Sequence, residues 1–188
     1  MPANPTRRCA GCLHRPFPFH CALAALAYGG ALTQAILRFK HAGHRHLARP
    51  LGSWLGPALS VAAQRGIDVT VPVPLHPRRL RQRGFNQALE LLRAGLHILP
   101  SDRRMPIACN ALVRSRDTPM LGHASPAGRR QLLQGAFAIT HPSAIVGKRV
   151  LVIDDVMTTG ATLAECARVL LAAGASRVEV LALARAIG

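Results

Sequence analysis

Two of the chain's eight acidic residues, Asp154 and Asp155, stand side by side in the stretch VLVIDDVMTTGATL, residues 150–163. Carboxylates accept paired hydrogen bonds from vicinal hydroxyls, which suits a ribose ring. The residues that follow, Thr158, Thr159, Gly160, Ala161 and Thr162, offer hydroxyl donors and successive backbone N–H groups at the start of a helix, an arrangement that binds anions. Gly160 lets the backbone approach a ligand closely. A diol reader beside a phosphate cradle describes a ribose 5-phosphate site. The plainer reading is a strand–turn–helix in which Asp and Thr only cap and turn. It accounts for a lone DD or TG, but not for the whole string placed after four apolar residues. No GxGxxG or GxxxxGK[ST] occurs, which speaks against a dinucleotide fingerprint and a P-loop.

A second group able to do chemistry is basic. Arg78, Arg79, Arg81 and Arg83 lie within six residues, just beyond a short β-branched run at 68–73. Guanidinium groups make planar, bidentate contacts to phosphate oxygens. The alternatives are a solvated basic turn or a nucleic-acid patch; the company of the acidic pair favours phosphate.

These groups need a frame. The unbroken aliphatic run 150–153 reads as a buried strand, and the acidic pair falls at its carboxyl end, where α/β sheets bind ligands. Further strands are expected at 22–28, 68–73, 111–113, 135–140 and 178–184. Helices are expected at 31–39, at 47–63 with Pro50 in the first turn, at 87–99 with Asn86 as cap, and at 162–173 before Gly174. Residues 74–84 read as a basic loop and 117–128 as a turn-rich connection. Strands alternating with helices predict an α/β fold, a mostly parallel sheet with helices on both faces.

Composition narrows the function. The 188 residues suit one domain with a small appendage, and 49% apolar content supports a globular core. The formal charge is +16, which favours anionic partners such as phosphorylated metabolites or nucleic acid. Only Lys40 and Lys148 among the 24 basic residues are lysines. Five cysteines without framework spacing argue against a secreted disulfide scaffold and for a reducing cytoplasm. Residues 16–37 carry no charged side chain except histidine, but Pro16, Pro18, Gly29 and Gly30 interrupt them, so no membrane span is expected.

VLVIDDVMTTGATL resembles the phosphoribosyl-pyrophosphate signature of type I phosphoribosyltransferases. The resemblance extends to VPVPLHPRRLRQRGFNQALEL at 71–91, RSRDTP at 114–119, GAF at 135–137 and AGASRVEVLALAR near the C-terminus, which are similar to the ComF/GntX branch (competence protein F-like). It implies a type I phosphoribosyltransferase-like domain over residues 21–188 that binds phosphoribosyl pyrophosphate with Mg²⁺. Asp154 and Asp155 would hold the ribose hydroxyls, residues 158–162 the 5-phosphate, and Arg78 and Arg79 the pyrophosphate. Arg81, Arg83, Gly84, Asn86 and Gln87 would belong to a neighbouring mobile loop. It also implies a link to competence and DNA uptake. Three readings follow: transfer of the phosphoribosyl group to an unidentified nitrogen acceptor, a non-catalytic single-stranded DNA-binding accessory, or a sensor of phosphoribosyl pyrophosphate. The DNA reading lacks a clustered stacking set, since Trp54, Tyr28 and the five Phe fall mostly at apparent core positions.

Family members usually carry further CxxC pairs in a longer N-terminal region. Here Cys9 and Cys12 have zinc spacing but are two ligands of four, so residues 1–20 read as a partial or vestigial zinc-ribbon-like segment that Cys21, His14 or His20 could complete. His41, His44 and His46 read as a basic turn rather than a metal cluster. Leu121, Gly128 and Leu132 stand where the branch usually shows Gln, an acid and Asn, changes that bear on turnover more than on the ribose-phosphate site.

Overall fold

The computed structural model describes residues 17–41, 43–118 and 126–186. Its centre is a four-stranded sheet in the order β1 (Cys21–Ala27), β6 (Arg177–Arg185), β5 (Arg149–Met157), β2 (Val69–Pro72), with every neighbouring pair parallel. The expected α/β class and doubly covered parallel sheet are therefore present. β5 is central because Val150, Leu151, Val152 and Ile153 have no exposed surface on either face.

Alternation along β5 and β6 divides the core in two. Val150, Val152, Val178 and Val180 face one layer, with α7 (Ala161–Ala172) and Leu133 of α6 (Pro126–Leu133). The antiparallel pair β3 (Leu112–Arg114) and β4 (Phe137–Ile139) joins the same layer through Leu112 and Phe137. Leu151, Ile153, Leu181 and Leu183 face the other, with α1 (Gly30–Phe39), α2 (Ala48–Ser53), α3 (Gly56–Gln64) and α5 (Gln87–Ile98). α2 and α5 cross closely through Gly52 and Gly95; a Cβ on Gly52 would stand 2.7 Å from the Leu91 carbonyl oxygen.

Three expectations are corrected. The helix expected over 47–63 is two helices, because Pro57 in the first turn of α3 lacks the N–H needed to continue α2 and its ring would crowd the carbonyl one turn earlier. The basic loop 74–84 contains α4 (Pro77–Arg83): the His76 ring nitrogen accepts from the Arg78 N–H, Pro77 opens the helix and Gly84, at φ 77°, stops it. The turn-rich connection expected over 117–128 ends in α6, which begins at Pro126. No helix among the described residues is long and apolar enough to cross a membrane.

Candidate functional site

β5 runs further than the strand beside it. β2 pairs with β5 only as far as Ile153, whereas β6 accompanies it to Met157. Asp154 to Met157 therefore have a paired edge toward β6 and an open edge above the end of β2. This corrects the expectation that the acidic pair follows the strand: continued pairing with Ala182 to Arg185 keeps it inside β5. The notch is also where the chain's connections part. α7 links β5 to β6 over one face and α5 follows β2 on the other, the switch point at which open α/β sheets form their ligand crevice.

Adjacent strand residues point to opposite faces, and the two carboxylates diverge accordingly. Asp155, 8% exposed, turns toward the α1 side, where the Lys40 ammonium lies 3.0 Å from its Oδ2. Asp154 turns toward α7 and β3; its Oδ1 accepts the Asp155 N–H at 2.8 Å. Burial first, then the adjacent Asp155 charge, push the Asp154 carboxyl up to about 7, against the opposing pull of Lys40 and Arg114. A carboxyl titrating there can both hold and accept a proton at neutral pH. Below it the Cys166 thiol, fully buried, is pushed well up by that burial and by Asp154, so it stays protonated packing material.

Thr158, Thr159 and Gly160 form the turn after β5, and Ala161 and Thr162 begin α7. Gly160 has φ 74°, a conformation that favours glycine, and the Phe17 ring lies where it would be 3.4 Å from an added Cβ. The sequence thus places carboxylates, hydroxyl-bearing turn and helix N-terminus at one edge, as the motif required.

The basic residues gather on the open side of the notch. Arg79 donates from Nη2 to the Thr118 carbonyl at 2.7 Å, and Asp117 lies 3.6 Å from Arg78 and 3.9 Å from Arg79. Asp117 and Thr118 follow β3, so this pair of contacts draws α4 and the β3 segment together. Arg83 donates to Gln87 Oε1 at 2.8 Å. Burial lowers its guanidinium below the ordinary value while Asp155 and Asp154 hold it up, which places it among the acids. Gly84, Asn86 and Gln87 form a pinned junction rather than an open loop: Asn86 Oδ1 caps α5 through the Leu89 N–H, and its Nδ2 donates to the Val73 carbonyl at 3.0 Å. Arg81 is exposed on α4.

Two site residues escaped the sequence reading. Lys40 lies 114 positions before Asp154 and no local pattern connects the two, although its rarity in an arginine-rich chain was a signal. Arg114, 8% exposed, donates to the Thr118 hydroxyl and stacks 5.5 Å over the Phe137 ring. Burial, with the Arg79 charge, lowers it below the ordinary guanidinium value, while Asp154 is among the charges that hold it up. Cys9, Cys12 and Leu121 lie outside the described residues. Among the described residues no group of three or more His, Cys, Asp or Glu could hold a metal ion.

Residues 111–187 match the phosphoribosyl transferase domain family. Over its full length the chain is similar to the DNA utilization protein YhgH of Salmonella typhimurium, 31% identical across 98% of this chain and 81% of that protein. It is likewise similar to competence protein F of Haemophilus influenzae, 30% identical across 96% and 79%. The chain belongs to the ComF family. Its fold is α/β, a parallel sheet with helices on both faces, and its C-terminal part carries the match to the phosphoribosyl transferase domain. Among solved structures, glutamine phosphoribosylpyrophosphate amidotransferase from B. subtilis aligns over 73% of this ComF chain but 26% of its own, with 22% identity and a TM-score of 0.45. The DDVMTTGAT string of this chain is what occupies the notch.

Proposed function

We propose that this chain binds phosphoribosyl pyrophosphate at the carboxyl edge of its sheet and transfers the phosphoribosyl group to a nitrogen acceptor. The observation that carries the reading is the notch above β2, where Asp154 and Asp155 stand beside the Thr158–Thr162 turn and the N-terminus of α7. The turn's N–H groups and hydroxyls receive the 5-phosphate, the carboxylates the ribose hydroxyls, and Arg79 and Arg78 the diphosphate. The acceptor nitrogen forms a bond to the anomeric carbon as the bond from that carbon to the diphosphate oxygen breaks. The electron pair leaves with pyrophosphate, and the nitrogen's proton passes to solvent or to Asp154. The protein contributes position and electrostatics.

The residues fit a magnesium ion carried in by the diphosphate rather than one held by protein alone. Two carboxylates are present and one oxygen of each is already engaged, by Lys40 and by the Asp155 N–H. Asp154 would reach such an ion through water, and the ion would supply neutralisation of leaving-group charge.

The names of the relatives support a role in competence or DNA utilization. A second reading, binding of single-stranded DNA, gains a specific observation. Trp54 is 58% exposed, not in the core as its sequence context suggested, and Ile98, 54% exposed, lies against Gly56. A groove of about 500 Å³ bounded by Arg49, Arg93, His97 and Ile98 runs along α5. An exposed indole can stack a base, and the groove's arginines can contact phosphates.

Calorimetry tests the lead. The wild type binds phosphoribosyl pyrophosphate in the micromolar range, and the Asp154→Asn/Asp155→Asn double variant loses that binding while keeping its affinity for a single-stranded oligonucleotide. A folded wild type with no sugar-phosphate affinity, but salt-sensitive oligonucleotide binding, would put the DNA reading in first place.

A further inference from the structure

Two acids away from the notch are gripped by arginines at hydrogen-bond length. Glu90 accepts two bonds from Arg45 at 3.0 Å each, and Glu165 accepts from Arg168 at 2.8 and 2.9 Å. Asp117 is held differently. Its carboxylate lies 3.6 Å from Arg78 and 3.9 Å from Arg79. It also lies 3.8 Å from His76 Nδ1, but that nitrogen accepts the Arg78 N–H and so does not donate to it. None of these contacts is short enough for a charge-assisted hydrogen bond. The acid is half-buried and loosely tied. Arg79 is fixed, because its Nη2 donates at 2.7 Å to the carbonyl of the buried Thr118. A loose carboxylate therefore rests on two guanidinium groups, one of which stays in place without it. A diphosphate offers the same two groups more charge and more acceptor oxygens than one carboxylate can.

We propose that Asp117 occupies the seat of the diphosphate in the free protein, and that binding exchanges its carboxylate for phosphate oxygens on Arg78 and Arg79. The inference rests on the assignment of those two arginines to the diphosphate. No covalent bond changes; one anion replaces another. Apparent affinity is then lowered by the fraction of molecules in which the seat is closed. In a chain of formal charge +16, that lowers the hold of these arginines on every passing anion. A ligand anchored elsewhere in the notch as well, at the acidic pair and the turn after β5, is the kind that displaces the acid.

Calorimetry on the full chain in Mg²⁺ tests this, with inorganic pyrophosphate and phosphoribosyl pyrophosphate as probes. Thermal melts first establish that Asp117→Asn and Asp117→Glu fold. Asp117→Asn, the same shape without the charge, binds both probes about three- to tenfold tighter than the wild type, the range that two loose ion pairs imply. Asp117→Glu keeps the charge and stays within about twofold of the wild type. Asp102→Asn removes an exposed acid beyond the end of α5 and reports the effect of overall charge; it changes affinity less than about 1.5-fold. In a second measurement, the free proteins are treated with phenylglyoxal and the modified arginines are mapped by mass spectrometry. Arg78 and Arg79 react at least about twofold faster in Asp117→Asn, because no acid then favours their protonated form, while Arg81 is unchanged. The proposal is overturned if Asp117→Asn binds the probes no more tightly than the wild type, since the acid would then only organise the arginines. It is also overturned if Asp102→Asn tightens binding as much. If no form binds either probe, the diphosphate assignment fails, and the modification rates alone decide whether Asp117 covers the arginines; equal rates overturn it.

Discussion

Glu179 and Asp154 occupy neighbouring strands of one sheet, three register steps apart, and their surroundings differ in kind. Glu179 opposes Leu151 near the amino edge, has no exposed surface, and is closed in by Arg177 at 2.8 Å and Arg65 at 3.3 Å. Asp154 lies at the carboxyl edge and accepts one backbone N–H; no side chain of the described residues forms an ion pair with it, although Lys40, Arg83 and Arg114 are near enough to act on its charge. One acid is ion-paired by its own chain on both oxygens, with a hydrogen bond at Oε2 alone. The other is surrounded by positive charge that stops short of it. A buried carboxylate that is closed in belongs to the fold, whereas one kept open at a sheet's switch point is kept for a ligand.

Removing each acid should have opposite consequences. Glu179→Ala breaks a buried ion cluster and strands two partly exposed guanidinium groups, so we expect a loss of about 3 kcal/mol in urea unfolding, with sugar-phosphate affinity per folded molecule unchanged. A loss under 1 kcal/mol, or a selective loss of binding, would erase the distinction between the two ends.

Asp154→Asn should stabilise. Its folded carboxyl titrates near 7 against about 3.9 in an unfolded chain, so the native state binds the proton more tightly throughout that window. Wild-type stability therefore falls as pH rises from about 4 to about 7 and then levels off. The amide cannot ionise and removes that stretch of the slope. The variant should equal the wild type near pH 4 and exceed it by about 1–2 kcal/mol at pH 8, allowing for solvent screening at a partly exposed group. A pH-stability profile with the same slope in both proteins would show that Asp154 carries no stored charge.

The two ends also differ in how far sequence reveals them. The ligand edge was legible because its parts are contiguous: four aliphatic residues, two acids and a Thr/Gly turn announce strand, carboxylates and helix start without any long-range information. The strand alternation that sends Asp154 and Asp155 to opposite faces was legible for the same reason. The partners of those acids were not. Lys40 arrives from the end of α1, Arg114 from β3 and Arg83 from a helix that reads as a loop, because a seven-residue segment with four arginines has no apolar periodicity to announce it. Glu179, set in an aliphatic strand, gives no hint of Arg65 from α3's end, since nothing local links them. Trp54 was misplaced because an aromatic residue within an apolar stretch reads as core until Pro57 breaks the helix and turns it outward.

The smallest effect is the most diagnostic of the open acid. Arg114 lies under the notch with Thr118 and Phe137, and its charge is one of those that restrain the Asp154 carboxyl. Arg114→Met fills much of the same space, keeps a favourable contact with the ring and removes the charge. The lost hydrogen bond and cation–π contact should lower stability by only about 1 kcal/mol. The Asp154 carboxyl, followed by carbon-detected NMR, should then titrate above its wild-type value near 7, because a neighbouring positive charge favours the ionised form and that favour has been withdrawn. An unchanged or lower titration would mean that Arg114 answers the β3 segment alone. Asp154 would then owe its proton affinity to burial and Asp155, and the positive ring around the notch would be incomplete on the side facing α7.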